Sequence, residues 1–189
     1  MALQHAVLAT LLDHEYSGYQ LAKIFDIGVA NFWHALPQQL YAELGKLEQA
    51  GLIRGRRVIQ HDRPNKRVYT VTELGMAELE RFTAAEAKPS FFRDDLLVKV
   101  YAADRTDAVT VMAQLTERAE QAKSKIALFD DILMRLRDGR DEQEFLRHGS
   151  RVGPYLTCLL GRSLEKEYHD WCLRCAELLG TREGVRDDA

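Results

Sequence analysis

Through the first fifty positions, apolar residues recur at helical spacing and are broken by short polar turns. Leu3, Val7, Leu8, Leu11 and Leu12 share one helix face, which Asp13, His14 and Glu15 bring to an end. Ser17 stands where an N-cap belongs, and Tyr19, Leu21, Ala22 and Phe25 carry a second short helix. Asp26, Gly28 and Asn31 supply turn chemistry. Leu36-Pro37 then opens a third helix that runs to Ala50, because a proline's missing N–H costs nothing in a first turn. Leu40, Leu44 and Leu47 form its inward stripe, Gln38, Gln39, Ala42, Lys46 and Gln49 lie around the outside, and Gly51 fits the residue just past its end.

The period then changes. Residues 52–60 and 66–71 are rich in Ile, Val, Arg, Tyr and Thr and flank His61-Asp62-Arg63-Pro64-Asn65, so they predict a β-hairpin. Thr72 caps a following helix that Leu74, Ala77, Leu79 and Phe82 continue toward Lys88-Pro89, which marks a module boundary. The pattern gives a first domain over 1–88 and a second over 89–189. The second shows no strand pattern: an apolar helix over 91–103, a long helix from Ala108, a charged break at Arg140 to Glu144 after Gly139, and a last helix over 154–179. Along the long helix Ala108, Met112, Leu115, Ala119, Ala122, Ile126, Phe129, Leu133 and Leu136 alternate steps of four and three, an a/d heptad stripe. Such a stripe packs either within its own domain or across a subunit interface. Its narrowness on so long a helix favours the second, which makes Met112 to Leu136 the expected dimer seam.

With 46% hydrophobic and 29% charged residues, the chain is too apolar for disorder and too charged for a membrane protein. No apolar run reaches the roughly 18 residues that span a bilayer, and the first twelve residues lack a basic n-region and a cleavage site. Three cysteines, Cys158, Cys172 and Cys175, cannot pair completely within the chain and suit a reducing compartment, so a cytoplasmic protein is expected. Cys172-Leu173-Arg174-Cys175 beside His169 has the spacing of a thiol or zinc site, but the region lacks the strands of a thioredoxin-like unit and a fourth metal ligand. Structural thiols are the expectation, with no metal and no cofactor. The six histidines are dispersed, and there is no P-loop, GxGxxG, GxSxG or HExxH, which argues against an enzyme.

Net charge at pH 7 is −3, which does not suggest a polyanion-binding protein. The distribution changes that picture. Between Gly51 and Thr70 stand Arg54, Arg56, Arg57, Arg63, Lys66 and Arg67 against Asp62 alone. Three helices followed by a basic hairpin is the element order of a winged helix-turn-helix, whose third helix enters the major groove while the hairpin touches flanking phosphates. Arginine and lysine displace the counterions condensed on DNA, and side-chain amides such as Gln38 and Gln39 can pair with adenine edges. The fold expected is mainly α with a small β-hairpin: an N-terminal winged helix and a C-terminal α-helical dimerisation domain.

Several segments resemble the PadR family of transcriptional regulators. Tyr16-Ser17-Gly18-Tyr19-Gln20-Leu21 is similar to the family's junction between first and second helices. Phe32-Trp33, with Gln39-Leu40-Tyr41-Ala42-Glu43-Leu44-Gly45-Lys46-Leu47-Glu48-Gln49-Ala50-Gly51-Leu52-Ile53, resembles its recognition helix and wing entry. Arg67-Val68-Tyr69-Thr70-Val71-Thr72-Glu73-Leu74-Gly75 resembles its returning strand and next helix. The matches cover the first 85 residues or so. The family often has Pro after the recognition-helix Tyr, where this chain has Ala42.

The resemblance implies that Gln38, Gln39, Tyr41, Ala42 and Lys46 face DNA, and that Arg56, Arg57, Arg63, Lys66 and Arg67 are wing contacts. It also implies a homodimeric repressor on a pseudo-palindromic operator in double-stranded DNA, released by a small-molecule effector of aromatic or phenolic type. Phe91, Phe92, Tyr101, Phe129, Tyr155, Tyr168 and Trp171 are candidates to line an effector pocket, with core packing as the default for each. Strand alternation puts Arg67 on the face of Tyr69 and Val71, so part of Arg67 is expected to be buried. Two alternatives stay open: a winged helix used for protein contacts, and a thiol- or metal-responsive sensor built on Cys172, Cys175 and His169.

Overall fold

In a computed structural model of the chain, which describes residues 2–25, 29, 33, 35–59, 65–87 and 93–187, the change of period at Gly51 is a change from helix to strand. The chain divides into two units, Met1–Pro89 and Ser90–Ala189. The first contains α1 (Ala2–Thr10), β1 (Tyr16–Ser17), α2 (Gly18–Ile24), α3 (Pro37–Gln49), β2 (Ile53–Val58), β3 (Lys66–Val71) and α4 (Glu73–Ala84). Its three strands form an antiparallel sheet in the order β1-β3-β2, with Tyr16 opposite Tyr69 and Arg56 opposite Val68. This is a winged helix-turn-helix. Strand β1 was invisible to pattern reading because two residues show no alternation.

The core of this unit is filled from every helix. Val7, Leu8 and Leu11 of α1, Leu21 of α2, Leu40, Leu44 and Leu47 of α3 and Leu79 of α4 are buried together with Phe25 and Ile53. Leu12, expected on the inward face of α1, lies beyond the helix end and is exposed. Ser17 caps α2 with a reciprocal box: its hydroxyl accepts from the Gln20 N–H, and the Gln20 side-chain oxygen accepts from the Ser17 N–H at 3.0 Å. At the far end of α3, Gly51 takes a left-handed φ of 73°. Its N–H donates to Glu48 O at 3.0 Å and that of Leu52 to Leu47 O at 2.9 Å, the two bonds of a Schellman turn. The turn aims the chain directly into β2.

Thr72 then joins sheet to helix. Its hydroxyl accepts from the Gly75 N–H at 3.1 Å and donates to Gly51 O and Leu52 O, while its own N–H also donates to Leu52 O. This draws the first turn of α4 onto the start of β2 so closely that a Cβ at Gly75 would sit 2.1 Å from Leu52 O.

The second unit comprises α5 (Asp95–Ala102), a 3-10 turn (Ala103–Arg105), α6 (Ala108–Arg137), α7 (Glu142–His148) and α8 (Val152–Asp187). Asp94, Asp107 and Asp141 cap α5, α6 and α7. Asp138, at φ 51°, and Gly139, at φ 77°, end α6 in left-handed backbone, where Gly139 was expected to stop it. Helix α7 falls where the sequence reading expected only a charged break. Seven residues are too few for a periodic signal, and one side chain, Phe145, holds the helix down: it is buried, and its ring lies 5.0 Å from that of Tyr155.

The heptad stripe does not form an open seam. Leu115 and Ala119 are buried in one cluster with Cys172, and Phe129 and Leu133 in another with Phe145, Tyr155 and Cys158. Ala122 is also buried, and Met112, Ile126 and Leu136 are half-buried. Within one chain, α8 packs against the buried part of this stripe, joined by Phe145 of α7 around Phe129 and Leu133. Glu165 of α8 accepts from both Arg118 and Lys125 of α6 at 2.8 Å, and Arg162 pairs with Asp130. These ion pairs border the apolar seam between α6 and α8.

The Gly75 contact is testable. In a Trp171→Phe background, where Trp33 reports the first unit, Gly75→Ala should lower stability by about 1–3 kcal/mol, the usual cost of forcing a methyl into packed backbone. Urea unfolding followed by fluorescence would refute the close approach if the midpoint did not move.

Candidate nucleic-acid interface

Helix α3 is fixed on its inner side by Leu40, Leu44 and Leu47, and this decides what faces outward. Gln38, Gln39, Tyr41, Ala42 and Lys46 are all exposed. They are not equally free. Leu36, the N-cap, has no side-chain oxygen to offer the helix. Its own N–H instead donates at 3.0 Å to the Gln39 side-chain oxygen, so Gln39 already spends its acceptor on the helix start. Lys46 is 3.4 Å from Glu43 and remains well exposed. Tyr41 leans on the start of α2, where the absence of a side chain at Gly18 makes room: a Cβ there would be 2.5 Å from the Tyr41 ring. Beside it, Tyr19 is exposed and Lys23 sits over its ring at 5.0 Å, adding an aromatic and a cation that sequence reasoning did not single out.

Directly opposed residues of an antiparallel pair share a face, so the sheet sorts its cations. Arg57, Arg67 and Gly55 share the face of Ile53, Tyr69 and Val71, which turns toward the helices, whereas Arg54, Arg56 and Lys66 share the other. Arg54, Arg56 and Arg57 are exposed and Lys66 is half-buried; Arg63 lies outside the described residues. The alternation implied partial burial of Arg67, and the structure corrects this: the residue is exposed and held by an ion pair instead. Its side chain is 56% exposed, but its guanidinium donates to Glu48 of α3 at 2.5 Å. The same Glu48 oxygen accepts from the Gly55 N–H at 2.9 Å. Nearby Tyr69 has its phenol pushed up by burial, an effect the Arg67 cation opposes.

Arg56 also has an acidic partner, Glu15, at 2.7 Å. Neither Glu48 nor Glu15 could be found by counting charge between Gly51 and Thr70, because both lie outside that window and reach the wing only through the fold.

The chemistry weighed for the second unit does not assemble. Cys172 is fully buried and Cys175 half-buried, and burial raises both thiols above their ordinary range, which leaves little reactive thiolate at neutral pH. His169 is engaged by Asp170 at 2.8 Å. Among the described residues, no three His, Cys, Asp or Glu side chains converge as metal ligands. Of the aromatic candidates, Phe129 and Tyr155 are buried, the Tyr168 hydroxyl donates to Asp94 while its ring lies 5.5 Å from that of Trp171, Tyr101 is exposed, and Phe91 and Phe92 lie outside the described residues. No helix among the described residues is long and apolar enough to cross a membrane.

Comparison with known proteins gives this geometry a context. Residues 7–81 match the family described as Transcriptional regulator PadR-like family, and residues 92–180 match Virulence activator alpha C-term. The chain is 33% identical over 190 residues to a probable transcriptional regulator of Mycobacterium tuberculosis, covering 95% of this chain and 98% of the relative. It is 26% identical over 170 residues to the negative transcriptional regulator PadR of Bacillus subtilis, covering 89% and 92%. Among solved structures, Bacillus subtilis PadR in complex with operator DNA superposes with a TM-score of 0.74 at 25% identity, covering 95% of this chain and 99% of that one.

Glu48 should therefore matter to the wing before any ligand is present. Glu48→Ala removes the acceptor for both the Gly55 N–H and Arg67, and a loss of about 1–3 kcal/mol is expected for hydrogen bonds to a charged group. Glu48→Gln keeps a neutral acceptor and should fall between Ala and the parent. Equal unfolding midpoints for all three proteins would remove Glu48 from this role.

Proposed function

The chain belongs to the PadR-like family of transcriptional regulators, and from that premise we propose that it is a homodimeric repressor that binds a pseudo-palindromic operator and is released by a small aromatic or phenolic effector. The family is one of regulators rather than enzymes, in keeping with the lack of a catalytic motif in the sequence. The observation that carries the DNA-binding part is the joint presentation of polar α3 side chains and exposed wing arginines on one small unit. The match to a regulator solved on operator DNA supports it.

On this reading Gln38, whose amide is not used in the helix cap, pairs with an adenine edge. Tyr41, Ala42 and Lys46 line the groove and its phosphates, and Arg54, Arg56, Arg57, Arg63 and Lys66 contact the flanking backbone. Gln39 and Arg67 are secondary, the first because it caps α3 and the second because it braces the wing. A repressor that reads one half-site needs a second copy for the other, and two-fold symmetry of the protein requires an inverted repeat in the DNA. With the heptad stripe covered internally, the apolar surface still exposed on α8 includes Leu156, Leu160 and Leu164, at successive four-residue steps. A second copy would bury this row. Release follows if an effector favours a dimer geometry that no longer matches the spacing of the half-sites.

The test is binding to duplex DNA taken from the intergenic region upstream of the protein's own reading frame. The parent should bind with a steep salt dependence. Arg56→Ala/Arg57→Ala should weaken binding about tenfold or more at low salt and reduce the slope by about two, near one per lost phosphate contact. An unchanged affinity and slope would reject the wing assignment. A monomer at every concentration by sedimentation would reject the dimer.

A further inference from the structure

The exposed Glu15–Arg56 pair has no evident structural purpose. Its side chains are 47% and 62% exposed, and at that exposure an ion pair contributes about 0–1 kcal/mol to folding. Its position is more informative. Glu15 immediately precedes β1, the edge strand, and Arg56 lies in β2 at the other edge, so the contact crosses β3 in the middle of the sheet. It brings a carboxylate from outside the wing onto a wing arginine, with the Arg56 guanidinium donating to a Glu15 oxygen at 2.7 Å. A carboxylate in that position occupies a donor that a phosphate oxygen would otherwise take.

We propose that Glu15 is an affinity-setting residue, an intramolecular stand-in for DNA phosphate that holds Arg56 in the free protein and must be displaced when the wing meets the backbone. The proposal rests on the DNA-binding reading above and adds a residue to it. An arginine already paired exchanges one anionic partner for another when DNA arrives. If Glu15 stays, its charge stands within hydrogen-bond range of the cation that a phosphate approaches; if it swings away, the pair is lost. Either cost falls on every DNA sequence alike, since phosphates carry no sequence information. Glu15 therefore lowers backbone-driven binding across the board and leaves occupancy at working salt to depend on the base contacts of α3.

The experiment is a double-mutant cycle on the full chain: parent, Glu15→Gln, Arg56→Ala and the double variant. Each is titrated against a random-sequence duplex and the upstream duplex between about 50 and 200 mM salt. Glu15→Gln should tighten binding to both duplexes by a similar factor, about threefold to tenfold at the lowest salt, and steepen the salt slope. In the Arg56→Ala background the same substitution should have little effect. Glu15→Gln binding that equals the parent, or a tightening that persists undiminished without Arg56, overturns the proposal while leaving the DNA-binding reading intact. If Arg56→Ala does not weaken binding, the proposal also fails. No binding to either duplex by any of the four proteins overturns both. Matching thermal melts for Glu15→Gln and the parent ensure that affinity, not folding, is being read.

Discussion

The geometry of the wing depends on a single carboxylate. Glu48 sits in the last turn of α3, where the negative end of the helix dipole makes an acid unfavourable by several tenths of a kcal/mol. Its oxygen is compensated by two donors from the sheet, the Gly55 N–H and the Arg67 guanidinium, one on each strand of the hairpin. The arrangement requires Gly55: a Cβ there would come within 2.3 Å of Arg67, 2.6 Å of the Glu48 oxygen and 3.1 Å of the Tyr69 ring. Helix α3 and the hairpin are also joined by the Schellman turn at Gly51, which sets the direction of departure, and by the packing of Ile53, Tyr69 and Val71 against the helical core. Glu48 ties the strands back to the helix two residues further along β2. In the proposed mode of binding, where both elements meet one duplex, this fixes their spacing before DNA is met.

The second unit shows how far a periodic stripe can be trusted. Alternating steps of four and three state that one side of α6 is covered, and they do not state by what. Helix α8 carries its own buried row through Tyr155, Cys158 and Cys172, so each helix supplies the surface the other needs. The seam is closed within the chain. Ion pairs at Glu165 and Arg162 then favour one register over neighbouring ones, a task that apolar contacts alone perform poorly because they are non-directional. A subunit interface has to use what is left over, and the row of leucines on the outer side of α8 is of that kind.

Elements with several turns were legible in the sequence: α3 with Pro37 at its start and Gly51 past its end, the basic hairpin, and the cap at Thr72. What escaped was short or non-local. Strand β1 and helix α7 are each defined by a partner elsewhere in the chain, Tyr69 and Val68 for the first and Tyr155 for the second. Spacing could nominate Gln38 and Gln39 together, but only geometry separates them, since Leu36 lacks a capping side chain and draws on Gln39. Arg56 and Arg67 looked alike as wing cations, yet each meets a different acid, and those acids lie 41 and 19 residues away in sequence. The CxxC spacing of Cys172 and Cys175 could be read from the sequence, but the burial that raises both thiols could not.

A net charge of −3 on a chain read as binding DNA ceases to be a paradox once the acids are located. Charge spread over a surface tens of ångströms from the DNA is screened, because the Debye length at physiological salt is about 8 Å. A carboxylate within 3 Å of a wing arginine is not screened in that way. The acids that matter are thus few, and they divide by what replaces them. Glu48 accepts a backbone N–H as well as Arg67, so phosphate cannot take over both of its roles without freeing the hairpin from α3. Glu15 makes a single exposed contact that phosphate reproduces. One acid therefore belongs to the architecture of the wing and the other to its electrostatic balance, although the two are equivalent in composition, in total charge and in residue type.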